Sequence, residues 1–141
     1  MKTKSCLSLT ALACFLAAAP SFAVRDPGPP KKRIVPVVKI KADPDPGHLT
    51  NFQNQVGKSF FFEVTGNTTG PIWGTGVYTS DSRLATAVVH AGILGNGKKG
   101  IVKVTILAGQ AAYVGSTSNG VTSSGYGVWG GSYQVEPVGK K

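Results

Sequence analysis

Apolar positions in this chain fall into a long leading run, several short extended stretches and one stretch with helical continuity. "KSFFFEVT" predicts a strand over Ser59 to Thr65, bounded by the turn "NTTG" and followed by a second extended piece, "PIWGTGVYT". "IVKVTIL", Ile101 to Leu107, places Val102, Val104 and Ile106 on one face, the period-2 signature of a half-buried strand. "AAYVGS" and "GVTSS" flank Asn119-Gly120, a pair that favours tight turns because both residues tolerate left-handed backbone. "GVWGGSYQVEP" predicts the last strand, stopped by Pro137, which has no backbone donor.

Between the second and third extended pieces lies "YTSDSRLATAVVHAGIL", Tyr78 to Leu94, the one clear helical stretch. Ser80, Asp81 and Ser82 are all cap-forming types, and Asp81 is the expected N-terminal cap or first-turn residue because its charge also suits that helix end. Gly92 is the expected stop, since glycine adopts the left-handed conformation that ends a helix without steric cost. Leu84, Ala85, Ala87, Val88, Val89 and Ala91 cover most of the circumference, so the helix is expected to be buried nearly all round. Arg83, Thr86 and His90 are spaced by three and four and form the one stripe open to a polar environment.

Composition then sets the context. Lys2 and Lys4, the apolar run Leu7 to Ala19, and the small residues Ser21 and Ala23 form the pattern of an export signal with cleavage after Ala23. Cys14 follows Ala11 where a lipid-attachment motif wants a large aliphatic residue, which disfavours a lipoprotein. Both cysteines, Cys6 and Cys14, fall inside this leader, so residues 24–141 hold no disulfide and no thiolate metal site. Residues 24–50 carry six of the nine prolines and six basic residues and are expected to be a stiff, basic tether, in which "IVPVVKI" could dock as an edge strand and His48 is solvated. The domain is expected over 51–138, with a basic tail at 139–141; from residue 51 onward there are 17 glycines, a density that implies many tight turns.

Residues 24–141 hold 13 Lys plus Arg against 6 Asp plus Glu, a net charge of +7 that favours anionic partners. Export argues against nucleic acid. Three acids after residue 50 are too few for a metal site, and no cofactor motif is present. "GILGNGKK" imitates a phosphate loop, but Lys99 stands where Ser or Thr is required and the loop follows a helix rather than a strand. Lys98 and Lys99 remain candidates for touching an anion. "YGVWGGSY" interleaves Tyr126, Trp129 and Tyr133 with glycine, and aromatic faces of this kind stack on sugar rings or cover lipid chains unless they point into the core. Trp73 has the same two readings, and "NTT" from Asn67 fits a glycosylation acceptor.

His90 is expected to be structural, its ring bonding a backbone carbonyl near the helix end. Catalysis would need a nucleophile beside it. Asp81 and Ser82 are about 12 Å away along a helix at 1.5 Å per residue. Ser116 or Ser132 could reach it only through the fold, and no GxSxG elbow is present.

The ordered set "WGTGVYTSDSRLATAVVHAGIL", a glycine loop, a strand and "YVGSTSNGVTSSGYGVWGGSY" resembles the LCCL domain family over about residues 60–136. The resemblance implies an α+β fold, short antiparallel strands wrapped around one central buried helix, and a module without enzymatic activity. On the family pattern Tyr78, Asp81 and Ser82 match the opening of the helical region. His90 and Gly92 match its end, and Gly115, Ser116, Asn119 and Gly120 match the turn signature. Animal members have disulfide cysteines, one of them at the position of Ala85 here; this chain lacks them. Some members are implicated in binding lipopolysaccharide or other lipids.

The reading from sequence is therefore an exported, non-catalytic binding module of the periplasm or cell envelope. It would recognise an anionic lipid, glycolipid or glycan through Arg83, Lys98, Lys99, Tyr126 and Trp129, with peripheral membrane contact. A protein-interaction or structural module using the basic tether is the alternative, and the oligomeric state is open.

Overall fold

A computed structural model describes residues 39–139. The expected export signal and the expected tether up to residue 38 lie outside the described residues, as do the last two lysines. Of "IVPVVKI" only Lys39 and Ile40 are described, and neither is in a strand.

The strands in chain order are β1 (Asp43–Pro44), β2 (Ser59–Thr65), β3 (Gly74–Thr75), β4 (Val77–Thr79), β5 (Lys99–Gln110), β6 (Thr117–Ser118), β7 (Val121–Thr122) and β8 (Trp129–Pro137). One helix, α1 (Leu84–His90), lies between β4 and β5. Six strands form one sheet in the order β1-β2-β5-β8-β4-β3, and β6 and β7 form a separate hairpin. The fold is α+β, as expected. All pairings are antiparallel except β1 on β2, which is parallel. The two central strands are long, 12 residues in β5 and 9 in β8.

Alternation along β5 buries Val102, Val104 and Ile106, as its pattern predicts, against Phe62 and Val64 of β2 and Tyr133 of β8. The opposite sheet face is polar and carries two ion pairs between neighbouring strands, Lys99–Glu63 at 3.0 Å and Lys103–Glu136 at 2.8 Å. A 3₁₀ turn at Thr50–Gln55 lays Phe52 edge-on against Phe60 and Phe62.

Seven residues are too few for a stable isolated helix, yet every residue of α1 is buried. Leu84, Ala87 and Val88 are fully enclosed, and burying a Leu or Val side chain contributes about 1.5–3 kcal/mol. Packing therefore holds this helix, in accord with its all-round apolar surface.

Tyr78 and Thr79 belong to β4, within the second extended piece. Two expectations about the helix need correction. The N-cap is Arg83, and no side chain caps the helix. Asp81 is not the cap because neighbouring loops supply the acceptors: Arg83 N–H donates to Pro71 O and Leu84 N–H to Gly47 O, both at 2.9 Å. Nor is the Arg83-Thr86-His90 stripe open to solvent. Thr86 and His90 are buried and only Arg83 is exposed, because the β6–β7 hairpin and the loop before β3 cover that side.

The helix stop is as expected. Gly92 has φ +73°, its N–H bonds Val89 O, and Ile93 N–H reaches back to Val88 O at 3.0 Å. The Asn119-Gly120 turn also forms, with φ of 51° and 76°, values that match a primed hairpin turn.

The domain begins earlier than the expected boundary at residue 51. Asp43–Pro44 already pairs with Phe62 and Glu63, and Leu49 is fully buried in the core. His48 is exposed, as expected for that segment, but its Nδ1 lies 2.7 Å from Asp81 O.

Candidate functional site

His90 is held from both sides. Tyr78 Oη lies 2.9 Å from Nδ1, and Ser116 O lies 3.1 Å from Nε2. A carbonyl only accepts, so Nε2 carries the hydrogen and Nδ1 of the neutral ring accepts from Tyr78. Ser116 Oγ is 3.3 Å from the same Nε2, but a nitrogen that is donating cannot take the serine proton. Ser116 Oγ is also 2.8 Å from Thr75 Oγ1. The ring thus ties the helix end to β4 and to the segment entering the hairpin. Asn119 Nδ2 completes the tie by donating to His90 O at 3.0 Å, one of the helix-end carbonyls that lacks an intrahelical partner.

The other pattern residues are architectural as well. Ser82 Oγ accepts from Trp73 N–H at 3.0 Å and bonds Thr79 Oγ1 at 2.8 Å. Tyr78 is buried between His90 and Tyr133, and desolvation pushes its hydroxyl above the ordinary tyrosine range, opposed in part by a backbone hydrogen bond from Gly76. Gly115 is needed for close approach: a Cβ there would sit 2.6 Å from the backbone of Ser123 and of Gly125. Ser132 does not reach His90; its hydroxyl donates to Ala108 O.

Tyr126 and Trp129 do come together, and with Trp73. Trp73 and Tyr126 ring centroids are 6.0 Å apart, and Tyr126 and Trp129 are 5.7 Å apart, both edge-to-face. Trp129 Nε1 donates to Ser80 Oγ at 3.0 Å, which fixes its ring. Tyr126 N–H and C=O both bond Tyr113, closing a bridge under the cluster. Tyr126 is 44% exposed, and Val128 beside it is 79% exposed. None of the three rings belongs to the hydrophobic core: Tyr126 is exposed, Trp73 and Trp129 are half-buried, and Tyr133 is the member of "YGVWGGSY" that is fully buried.

Lys98 and Lys99 lie elsewhere. Lys99 begins β5, whereas Trp129 pairs with Gln110 at the other end of that strand, about 36 Å away at roughly 3.3 Å per residue. Lys99 is engaged with Glu63. Arg83 lines a polar cleft of about 470 Å³ with Asp45, Glu63, Asn67 and Asn96. Two carboxylates share that cleft with the guanidinium, so its charge is mixed. Glu63 of that cleft is the partner of Lys99, so Arg83 lies on the Lys99 side and not among the aromatic rings. The five residues proposed from sequence therefore divide into the Tyr126–Trp129 pair and, apart from it, Arg83 in the polar cleft with Lys98 and Lys99 near the start of β5.

Sequence reasoning left Trp73 undecided, because a single tryptophan ahead of a glycine-rich turn gives no facing. It missed a second, apolar cleft of about 430 Å³ beyond the end of α1, lined by Ile93, Leu94, Ile101, Pro137 and Val138 among others. Its walls come from three separated segments, so no local pattern announces it. Among the described residues no group of His, Cys, Asp and Glu is placed to hold a metal ion, and no helix is long and apolar enough to cross a membrane.

A family described as LCCL domain matches residues 44–133 of this chain. Among individual proteins, vitrin of Mus musculus is 44% identical over 64 residues, covering 45% of this chain and 10% of vitrin. Human vitrin gives the same identity, with 45% and 9% covered. Human cysteine-rich secretory protein LCCL domain-containing 2 is 39% identical over 57 residues, covering 40% of this chain and 12% of that protein. The chain thus matches about a tenth of the length of these relatives.

Proposed function

This chain belongs to the LCCL domain family, and from that premise we propose that it is an exported, non-catalytic binding module for an anionic glycan or glycolipid headgroup of the cell envelope. The observation that carries this reading is the Trp73-Tyr126-Trp129 cluster. Three aromatic rings outside the core, packed edge-to-face with the Trp129 ring fixed by a hydrogen bond and partly open to solvent, offer a stacking platform for sugar rings. The basic balance of the chain favours a ligand carrying carboxylate or phosphate. Support for a non-catalytic role comes from His90, the one buried histidine among the described residues, whose two ring nitrogens are both occupied structurally. The export signal, and a relative whose name calls it secretory, support an exported protein.

Both tryptophans of the chain belong to the cluster, so intrinsic fluorescence reports on this surface alone. Titrating residues 24–141 with polygalacturonate at low salt should shift the emission saturably. Tyr126→Ala should weaken that binding about tenfold, the loss typical of an aromatic anchor, with an unchanged melting temperature. Undiminished affinity in both Tyr126→Ala and Trp129→Phe would remove the aromatic surface from the reading. If polygalacturonate and anionic-lipid vesicles both fail to bind, the ligand class is wrong and the protein-interaction alternative takes its place.

A further inference from the structure

The aromatic cluster stands in a charge-free part of a basic chain. No Asp, Glu, Lys, Arg or His occurs from Val64 to Ser80 or from Val104 to Val135. Trp73, Ser80, Tyr113, Ser124, Tyr126 and Trp129, which build the cluster, all come from these two segments. Lys103 and Glu136 bound the second segment. Each is seven residues from the Gln110–Trp129 pair, about 23 Å along its strand at roughly 3.3 Å per residue, and the two neutralise each other. Across the sheet, Lys58 C=O accepts from Ile106 N–H, four residues or about 13 Å from Gln110. Its ammonium is 3.4 Å from Gln55 Oε1. Asp81, next to Ser80, is the first charge beyond the first segment, and it is a carboxylate. Arg83 packs against Gly70 and lines the polar cleft. None of these cations is placed to hold a carboxylate or phosphate against the rings.

Neutral polar groups flank the rings instead. Gln110 pairs with Trp129 in antiparallel register, so the two side chains leave the same face of the sheet. Ser124 bridges Trp73. Gln110 and Ser124 are both exposed, and neither side chain bonds another group among the described residues. An amide and a hydroxyl can each donate and accept, which suits the hydroxyls of a sugar. The rings stand steeply to one another, Tyr126 at 65° to Trp73 and 84° to Trp129. Successive sugars of a straight chain cannot stack on rings so inclined, whereas one sugar ring can lie on the exposed Tyr126.

We propose that the cluster takes a single pyranose unit by its C–H face and without regard to charge, with Tyr126 stacking and with Gln110 and Ser124 bonding the sugar hydroxyls. Uncharged glycans are then ligands of this module as well. The proposal rests on the glycan reading above and narrows it. The aromatic site reads the ring, and the acid groups of an anionic glycan are drawn only at long range, by the net charge of the whole chain.

The test titrates isotopically labelled residues 24–141 with methyl α-galactoside, methyl α-galacturonide, trigalacturonate and polygalacturonate, read by NMR. The two methyl glycosides differ only in the acid group. Both should shift the Trp73 and Trp129 indoles and the Gln110 side-chain amide, with Kd values roughly in the millimolar range expected of so small a ligand. Their affinities should agree within about twofold at low and at high salt, because no charge at the site is there to be screened. Trigalacturonate at high salt should gain only the statistical factor of its three units. Gln110→Ala and Ser124→Ala, both at exposed positions, should each weaken the neutral glycoside by about twofold to tenfold, the loss of one neutral hydrogen bond. A galacturonide far tighter than its neutral twin at low salt, with the advantage gone at high salt, would overturn the proposal. So would a large gain for trigalacturonate at high salt, or binding indifferent to both substitutions. If polygalacturonate shifts the indoles and the neutral glycoside does not, the proposal falls and the glycan reading stands. If none of the four shifts them, both fall.

Discussion

Tyr78 donates its hydroxyl to His90 Nδ1 at 2.9 Å, joining strand β4 to the last turn of the only α-helix among the described residues. Both side chains are buried, so neither can exchange this partner for water. Truncating His90 to alanine therefore strands the Tyr78 hydroxyl and leaves a cavity, while Ser116 O keeps its bond from Ser123 N–H. We expect His90→Ala to lower stability by roughly 2–4 kcal/mol, read by urea unfolding. At a permissive temperature its ligand affinity should match the parent. Unchanged stability with lost affinity would reassign His90 to a binding role.

Tyr133 is the second buried tyrosine of this group. Its hydroxyl donates to Ser82 O at 3.1 Å, and its pKa is pushed well above 10.0 by burial first, then by Tyr78, Asp45 and Asp81 nearby. A raised tyrosine pKa means the native state keeps a proton that the unfolded chain releases. Its stabilising effect is fully present below pH 10 and is lost as pH rises beyond that value. The domain should therefore unfold with rising pH in the alkaline range, with tyrosinate absorbance appearing cooperatively with loss of structure. Tyr133→Phe should flatten that alkaline slope. Tyrosinate formation by Tyr133 in a still-folded domain would contradict this account.

Gly92 holds φ +73° at the helix stop, and a Cβ there would meet Asn119 Nδ2 at 3.0 Å. Gly92→Ala should cost about 1–2 kcal/mol from the left-handed backbone alone, measured by thermal unfolding. Combining it with Asn119→Ala removes the contact but not the backbone strain, so the double variant should recover little. A neutral Gly92→Ala would show that the stop contributes nothing to stability.

Lys103 and Glu136 face each other across β5 and β8, 2.8 Å apart, with side chains 38% and 42% exposed. Solvent screens such a pair, and replacing both by glutamine should change stability by less than about 1 kcal/mol. A larger loss that disappears at high salt would mean that the polar face of the sheet stabilises more than its exposure suggests.

Much of the fold was legible because short-range pattern decides it. β2 was readable to the residue from its run of phenylalanines between turns, and the core face of β5 followed from alternation. The helix was readable as a buried segment but not in extent. Ser80, Asp81 and Ser82 look like caps, yet Ser80 accepts from Trp129 and Gln53, and Ser82 accepts from Trp73. Those partners are up to 49 residues away, and nothing local predicts them. Asp43–Pro44 looked like linker because proline is scarce in strands; pairing with only two residues of β2 at a sheet edge tolerates it.

The candidate site divides along the same line. Tyr126 and Trp129 were visible as aromatics among glycines, but whether they faced outward depended on Ser80 and Tyr113 fixing them from other parts of the chain. Lys98 and Lys99 were visible as charge, but their distance from the aromatic rings is set by the length of β5 and the register of β8 against it. By itself the sequence determined which segments would extend, where the helix would stop and what charge the chain would carry, because backbone preference and hydrophobic period act over a few residues. Only the tertiary structure decided which side chains meet, since the contacts of His90, of the aromatic cluster and of the apolar cleft all join residues brought together by sheet register.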